Sequence, residues 1–295
     1  MRIVSLLPSS TEILFAIGAG EHVVGVTYEC DYPARARSRR IVSTTSLPEG
    51  LSPAQIDAEV SRRVRAGEDL YHLDAGALAD LDAELVVTQD LCAVCAVDVR
   101  EVDQALAHLG CTADVVTLDP HTLNEVLESV LTLGRRTGCE RLAVPLVEEL
   151  RDRLDAVRRA VDGLPRPRTL LLEWTDPPYA PGHWVPEMVT LAGGVPTLGS
   201  PGGKSVRVTW EQALAVDPEV VICAPCGYSL DQASALTADL VAGGALPPVP
   251  VWAVDANGSF ARPGPRLVDG VEALAAVLHP VELGAPDPAV ARRLA

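Results

Sequence analysis

Apolar residues along the chain follow two alternating rhythms. Short continuous apolar blocks at residues 2–7, Val23–Thr27, 84–88 and 113–118 read as buried strands. Between them lie stretches with helical spacing. Ser9-Ser10-Thr11-Glu12 has the Ser-x-x-Glu spacing of a capping box and predicts a helix that ends near residues 18–20. Residues 56–65 are amphipathic, 77–81 form a short helical turn, and 99–109 return to helix. Strand and helix in strict alternation predict a parallel sheet covered on both faces.

The middle of the chain changes character. Thr122 and Glu125 make a second capping box, leading Leu123, Val126, Leu127, Val130 and Leu131 into a helix that stops near Gly138. Ala143, Val147, Leu150, Leu154, Val157 and Val161 then recur at alternate spacings of four and three. They mark a helix of about twenty residues, about 30 Å long, with Pro145 in its first turn and Gly163-Leu164-Pro165 at its end. Beyond it the alternation restarts, with strands at 169–173, 195–198, Val220–Cys223 and 249–254 and helices at 187–192, 210–215 and Leu267–Leu278. Residues 39–53 and 199–208, rich in Gly, Pro and Ser, read as loops. The pattern predicts an N-terminal α/β lobe over 1–120, a helical segment with a lobe-linking helix over 121–165, and a C-terminal α/β lobe over 166–295. No repeat of solenoid period is present.

Composition narrows the class. With 295 residues, 48% of them apolar, the chain can build two cores. A formal charge of −16 argues against nucleic acid or an anionic membrane surface as partner. No apolar run is long enough for a membrane span or a signal segment, so the sequence as it stands predicts a cytoplasmic protein without membrane insertion. Seven cysteines, an odd number, fit poorly with a disulfide framework. With aromatics at 4%, each Trp and Tyr calls for its own account.

In open parallel sheets ligands lie beyond the carboxyl ends of the strands. The segments in those positions hold Cys30 and Tyr32, then Cys92 and Cys95, then Glu173 and Trp174, His183, Trp184 and Glu187, then Cys226, Gly227 and Tyr228, and finally Arg262. Cys92-x-x-Cys95 has the spacing of a tetrahedral metal pair or a redox pair, and Cys223-x-x-Cys226 repeats it. Free cysteine is also a common core residue. That plain reading covers Cys111, Cys139 and Cys223, while Cys30, Cys92, Cys95 and Cys226, all in predicted loops, divide evenly between metal ligand and core. His183 reads as a ligand or as a packed side chain beside Trp184. Glu173 and Glu187 are spaced to converge on a ligand, although Glu187 also suits a helix's first turn. Arg262 can hold an anionic group bidentately or cap a helix approach. There is no Ser-His-Asp order, Walker loop or Gly-x-Gly-x-x-Gly fingerprint.

Ile3-Val4-Ser5-Leu6-Leu7-Pro8-Ser9-Ser10-Thr11-Glu12-Ile13-Leu14, followed by Val24-Gly25-Val26 and Asp31-Tyr32-Pro33, resembles the opening of vitamin B12 and iron-siderophore substrate-binding proteins. The likeness runs through Ala192-Gly193-Gly194 to Arg262-Pro263-Gly264-Pro265-Arg266. Glu29-Cys30-Asp31-Tyr32-Pro33, Cys92-Ala93-Val94-Cys95, Trp184-Val185-Pro186-Glu187 and Pro225-Cys226-Gly227-Tyr228 are similar to motifs of a leaderless cobalamin-binding subgroup. The resemblance implies two doubly wound α/β lobes joined by one long rigid helix, with the ligand in a cleft between them. It implies a non-catalytic protein that holds a corrinoid, cobalamin-like, or a related metal-bearing cofactor. Tyr32, Trp174, Trp184 and Tyr228 would edge the ligand site. A transporter partner would need an acidic residue on each lobe; Glu211 matches one, and the other falls near Gly76. The absence of a leader counts against an ABC transporter as partner. The alternative on the same scaffold is a thiolate-ligated zinc or iron–sulfur protein, a carrier or sensor, using Cys30, Cys92, Cys95 and Cys226. A thiol enzyme built on Cys92 and Cys95 ranks last, because no general base stands out.

Overall fold

The structure is a computed structural model that describes residues 1–89 and 113–295. The helix expected over 99–109, and Cys92, Cys95 and Cys111, lie outside the described residues. The chain divides into two compact units, residues 1–120 with 127–147, and residues 121–126 with 148–295.

The first unit is built on a six-stranded sheet. Its strands are β1 (Ile3–Ser5), β2 (Val23–Thr27), β3 (Arg40–Thr45), β4 (Tyr71–Leu73), β5 (Leu85–Thr88) and β6 (Asp114–Thr117), in the order β4-β3-β2-β1-β5-β6. All neighbouring pairs run parallel except β3 and β4, which are antiparallel. The central strand β1 is buried at all three positions, which is why it reads as an unbroken apolar run. Val4, Leu6, Val42, Leu73, Leu78, Leu81 and Val86 form one core cluster of this unit.

β3 lies within the stretch 39–53 that the sequence reading gave to a loop. Only Ile41 and Val42 are apolar in it, and Ile41 is half-exposed, so no alternation stands out; its β-branched run Ile-Val-Ser-Thr-Thr was the available signal. The first helix, α1 (Pro8–Ala16), also departs from expectation, because its N-cap is Leu7 and no side chain caps it. Pro8, with φ already fixed near the helical value, takes the first helical position and draws Ser9 inside the helix. The genuine capping box is at Ser52 and Gln55, opening α2 (Pro53–Ala66), which ends at Gly67 in the left-handed region (φ 67°). A short helix, α3 (Ala75–Ala79), follows β4.

In α4 (Leu123–Thr137) the predicted cap forms: the Glu125 N–H donates to Thr122 Oγ1 (3.2 Å) and the Thr122 N–H to Glu125 Oε2 (3.2 Å). Gly138 (φ 69°) ends it, and the chain turns directly into α5 (Glu140–Ala160), 21 residues long. Its stripe Ala143, Val147, Leu150, Leu154, Val157, together with Val161 beyond its end, is buried as the spacing predicted. Because α5 starts at Glu140, Pro145 sits inside the helix rather than in its first turn, and cannot donate to the carbonyl one turn back. Residues up to Val147 belong to the first unit and those from Glu148 to the second.

The second unit has a five-stranded sheet of β7 (Arg168–Leu172), β10 (Val195–Pro196), β12 (Val220–Cys223), β13 (Val251–Val254) and β14 (Ala291–Arg293), ordered β10-β7-β12-β13-β14. The first four are parallel and β14 is antiparallel. The sequence reading did not foresee β14, nor a small antiparallel sheet of β8 (Trp174–Thr175), β9 (Pro178–Ala180) and β11 (Val206–Arg207). The helices are α6 (Val185–Leu191), α7 (Trp210–Leu214), α8 (Leu230–Ala242), α9 (Leu267–Leu278) and α10 (Pro280–Leu283). Of these, α8 and the four-residue α10 went unread, although Ser229 and Gln232 form a complete capping box at the start of α8.

Candidate functional site

In the second sheet the chain passes from β7 to β10 on one side and returns to β12 on the other, so the strand order reverses between β7 and β12. The carboxyl ends of strands at such a reversal are the expected ligand position in an open α/β sheet. Glu173 and Trp174 follow β7, and Cys226, Gly227 and Tyr228 follow β12. The Cys226 N–H donates to the Glu173 carbonyl (2.9 Å), and the Trp174 and Tyr228 rings lie 5.5 Å apart, tilted by 59°. The Trp174 indole donates to the Asp176 carbonyl (3.0 Å), and the Asn257 N–H donates to the Tyr228 carbonyl (3.0 Å). Two aromatic side chains are thereby fixed as a partly exposed pair. Gly227, exposed and left-handed at φ 81°, makes the turn that brings Tyr228 back.

Glu173 turns its carboxyl group into the protein. Oε1 accepts from the Gly182 N–H (3.2 Å) and Oε2 from the Ser205 hydroxyl. Part of the residue still reaches the surface, but the carboxyl is enclosed. Burial pushes it up to about 7, partly offset by the Ser205 and Gly182 hydrogen bonds, which favour the ionised form. Gly182 is required for this contact: a Cβ there would stand 2.3 Å from the Ser205 nitrogen. The carboxyl group therefore joins the end of β7 to the segment just after β9 and to the segment just before β11.

His183 follows at once, in the left-handed region (φ 51°), with its N–H on the Gly203 carbonyl (2.5 Å) and its carbonyl accepting from the Gly202 N–H (2.9 Å). Its ring lies 5.6 Å from that of Trp184 and 5.7 Å from that of His121. Burial, then the neighbouring His121 and Lys204, holds the His183 imidazole below its usual range. Trp184 is buried and donates from Nε1 to the Phe260 carbonyl (2.7 Å), so it is a core anchor beside the site. Glu187, in the first turn of α6, accepts the Leu123 N–H (2.8 Å) at the start of α4. The two carboxylates expected to converge on a ligand are thus each engaged with protein partners of their own. Arg262 is buried and follows the π-helical turn Asn257–Ala261.

Of the thiols, Cys223 is buried inside β12, and burial pushes it up to about 11. Cys226 is exposed, and Cys139, expected in a core, is only half-buried. Cys30 lies in the first unit, buried beyond β2, where its sulfur is 3.1 Å from Thr11 Oγ1. Thr11 Oγ1 in turn donates to Ser5 Oγ (2.8 Å), which shares a hydrogen bond with Ser10 Oγ (2.6 Å). Hydroxyls near the start of α1 are therefore tied to one another and to Cys30. Tyr32 lies near them in sequence, half-exposed. Among the described residues no group of three or more His, Cys, Asp or Glu could hold a metal ion, so the thiolate-ligated zinc or iron–sulfur centre finds no support there. His121, Lys204 and Ser205 were missed by sequence reasoning, because nothing local links them to residues 20 to 60 positions away.

A profile of periplasmic binding proteins matches residues 3–242. The chain is 24% identical over 289 residues to an uncharacterized ABC transporter substrate-binding lipoprotein of Bacillus subtilis, covering 95% of this chain and 80% of that one. It is 24% identical over 274 residues to a vitamin B12-binding protein of Vibrio cholerae, covering 92% and 86%. A periplasmic haem-binding protein of Pseudomonas aeruginosa has a similar fold, with TM-score 0.71 and 20% identity over 98% of this chain and 96% of that one. No helix among the described residues is long and apolar enough to cross a membrane. With the profile spanning both α/β units and the relatives aligned almost end to end, the chain belongs to the periplasmic binding protein family and is a non-catalytic, small-molecule-binding member of it.

Proposed function

We propose that the ligand is a corrinoid, or a related metal-bearing macrocycle, received on the carboxyl-end face of the second sheet. The observation that carries this reading is the Trp174–Tyr228 pair at the strand reversal, held by Trp174 Nε1 on Asp176 and by the backbone of Asn257 on Tyr228. Aromatic faces bury a large area with little loss of side-chain freedom, which suits a broad, flat ligand with an apolar rim. The names of the relatives support a tetrapyrrole: one is a vitamin B12-binding protein, and the haem-binding protein shares the fold.

Titration with cyanocobalamin, and separately with haem, tests the proposal through tryptophan fluorescence and the ligand's visible spectrum. Binding of cobalamin, weakened about fivefold in Trp174→Ala, is the expected result, since an aromatic contact contributes about 1 kcal/mol beyond area burial. Binding of haem alone would remove the corrinoid assignment, and binding of neither would remove the proposal.

A further inference from the structure

We infer that His121 and His183 form a two-imidazole site for a divalent transition-metal ion, separate from the Trp174–Tyr228 surface and independent of which macrocycle that surface takes. The residues are 62 positions apart, one just before α4 and one just before α6, yet their rings stand 5.7 Å apart with an interplanar angle of 43°. A zinc–nitrogen bond is about 2.1 Å, and a ring nitrogen is about 1.1 Å from its centroid, so a shared ion would sit about 3.2 Å from each centroid. Two such arms span the observed separation at an angle of about 125°, within reach of tetrahedral coordination.

The surroundings hold the pair in place. His121 Nδ1 is 3.3 Å from the Gly202 carbonyl, an arrangement that fixes the protonated nitrogen and leaves Nε2 with its lone pair; ligating histidines are commonly oriented by such a bond. The Gly202 N–H in turn donates to the His183 carbonyl, and the His183 N–H to Gly203, so the loop that orients one imidazole also holds the backbone of the other. His183 adopts a left-handed conformation (φ 51°) that a side chain rarely takes. Strain of this kind is kept where the surroundings impose it, often at functional positions. Glu125 accepts the His121 backbone N–H (2.5 Å) and so fixes the main chain that carries this imidazole, while the exposed Lys204 ammonium acts against a cation. Imidazole ligands select zinc, nickel, copper or cobalt over magnesium or calcium. With two protein ligands the ion keeps open positions, and a water or a chelating group of a bound molecule would fill them.

The test is titration of the metal-free, full-length protein with Co²⁺ alone, followed by visible absorption. One equivalent showing ligand-field bands without thiolate charge transfer is expected. His121→Gln and His183→Gln should each weaken this binding at least tenfold, while Cys226→Ser leaves it unchanged. A second measurement needs no variant: Zn²⁺ should protect both histidines of the wild-type protein from diethyl pyrocarbonate, read by peptide mass spectrometry. Co²⁺ binding unaffected by either substitution, or carried by thiolate bands, overturns the inference, as does equal modification of the histidines with and without Zn²⁺.

Discussion

Replacing Glu173 by Gln should stabilise the protein above about pH 4.5, and fully above about pH 7. The Glu173 carboxyl is raised by burial from 4.5 to about 7. A folded-state value above the unfolded one means that ionisation opposes folding. Below about pH 4.5 both states are protonated and the effect vanishes. It grows as pH rises through the window between the two values and is complete above about 7. At about 1.4 kcal/mol per unit, the ionised carboxylate costs about 3 kcal/mol of folding free energy at high pH. Glutamine keeps an oxygen for the Gly182 N–H and turns an amide toward Ser205, whose hydroxyl can accept; the charge-assisted bonds of the carboxylate are already contained in the raised value. The net gain is therefore about 3 kcal/mol near pH 8.5 and about zero near pH 4.5. Urea unfolding of both proteins across that range measures it. A stability difference that does not change with pH, or a variant less stable than wild type in alkali, would refute the assignment of a buried, reluctant carboxyl. Ser205→Ala supplies an internal control: without its hydroxyl, ionisation becomes harder and the alkaline destabilisation should deepen.

Arg153 on α5 meets Glu272 through two parallel bonds (2.9 and 2.7 Å) and Asp269 through a third (2.5 Å) on α9. Arg153→Ala should lower stability by about 1–2 kcal/mol, and Lys should restore only part of it for want of the planar fork; thermal unfolding at low and high salt would show the loss shrinking with salt. Gly134→Ala would place a Cβ 2.5 Å from that of Ala143, where α4 passes α5, and should destabilise by about 1–3 kcal/mol in the same assay. Iodoacetamide at neutral pH should label Cys226 in the native protein and leave Cys223 unmodified until urea is added, since one is exposed and the other is buried with a raised pKa. Labelling of Cys223 in the native state would contradict its burial in β12.

The strands and long helices were legible because their signals are local. A buried central strand such as β12 is a continuous apolar run, and α5 repeats its apolar stripe for about four turns. What failed was also physical. The box at Ser9 and Glu12 had the right spacing, but Pro8 started the helix two residues earlier, whereas the boxes at Ser52 and Ser229 were there to be read. β14 is short, with two charged residues of three, and gains its conformation only by pairing with β13. At the site, Glu173, Trp174 and Tyr228 could be nominated from their places after strands. Their roles could not, because the depth of the Glu173 carboxyl depends on Gly182 and Ser205, and the company of His183 depends on His121.

The short run 121–126 belongs to the second unit although the residues on both sides of it belong to the first. A fragment starting at Glu148 would lack the Leu123 amide that Glu187 engages and the imidazole that leans on Gly202. Neither half can therefore be excised by a single scission of the polypeptide, and a hybrid made by exchanging halves with a relative needs matched crossovers at three places rather than one. During synthesis the run 121–126 also leaves the ribosome well before Glu187 and Gly202, the residues that engage it.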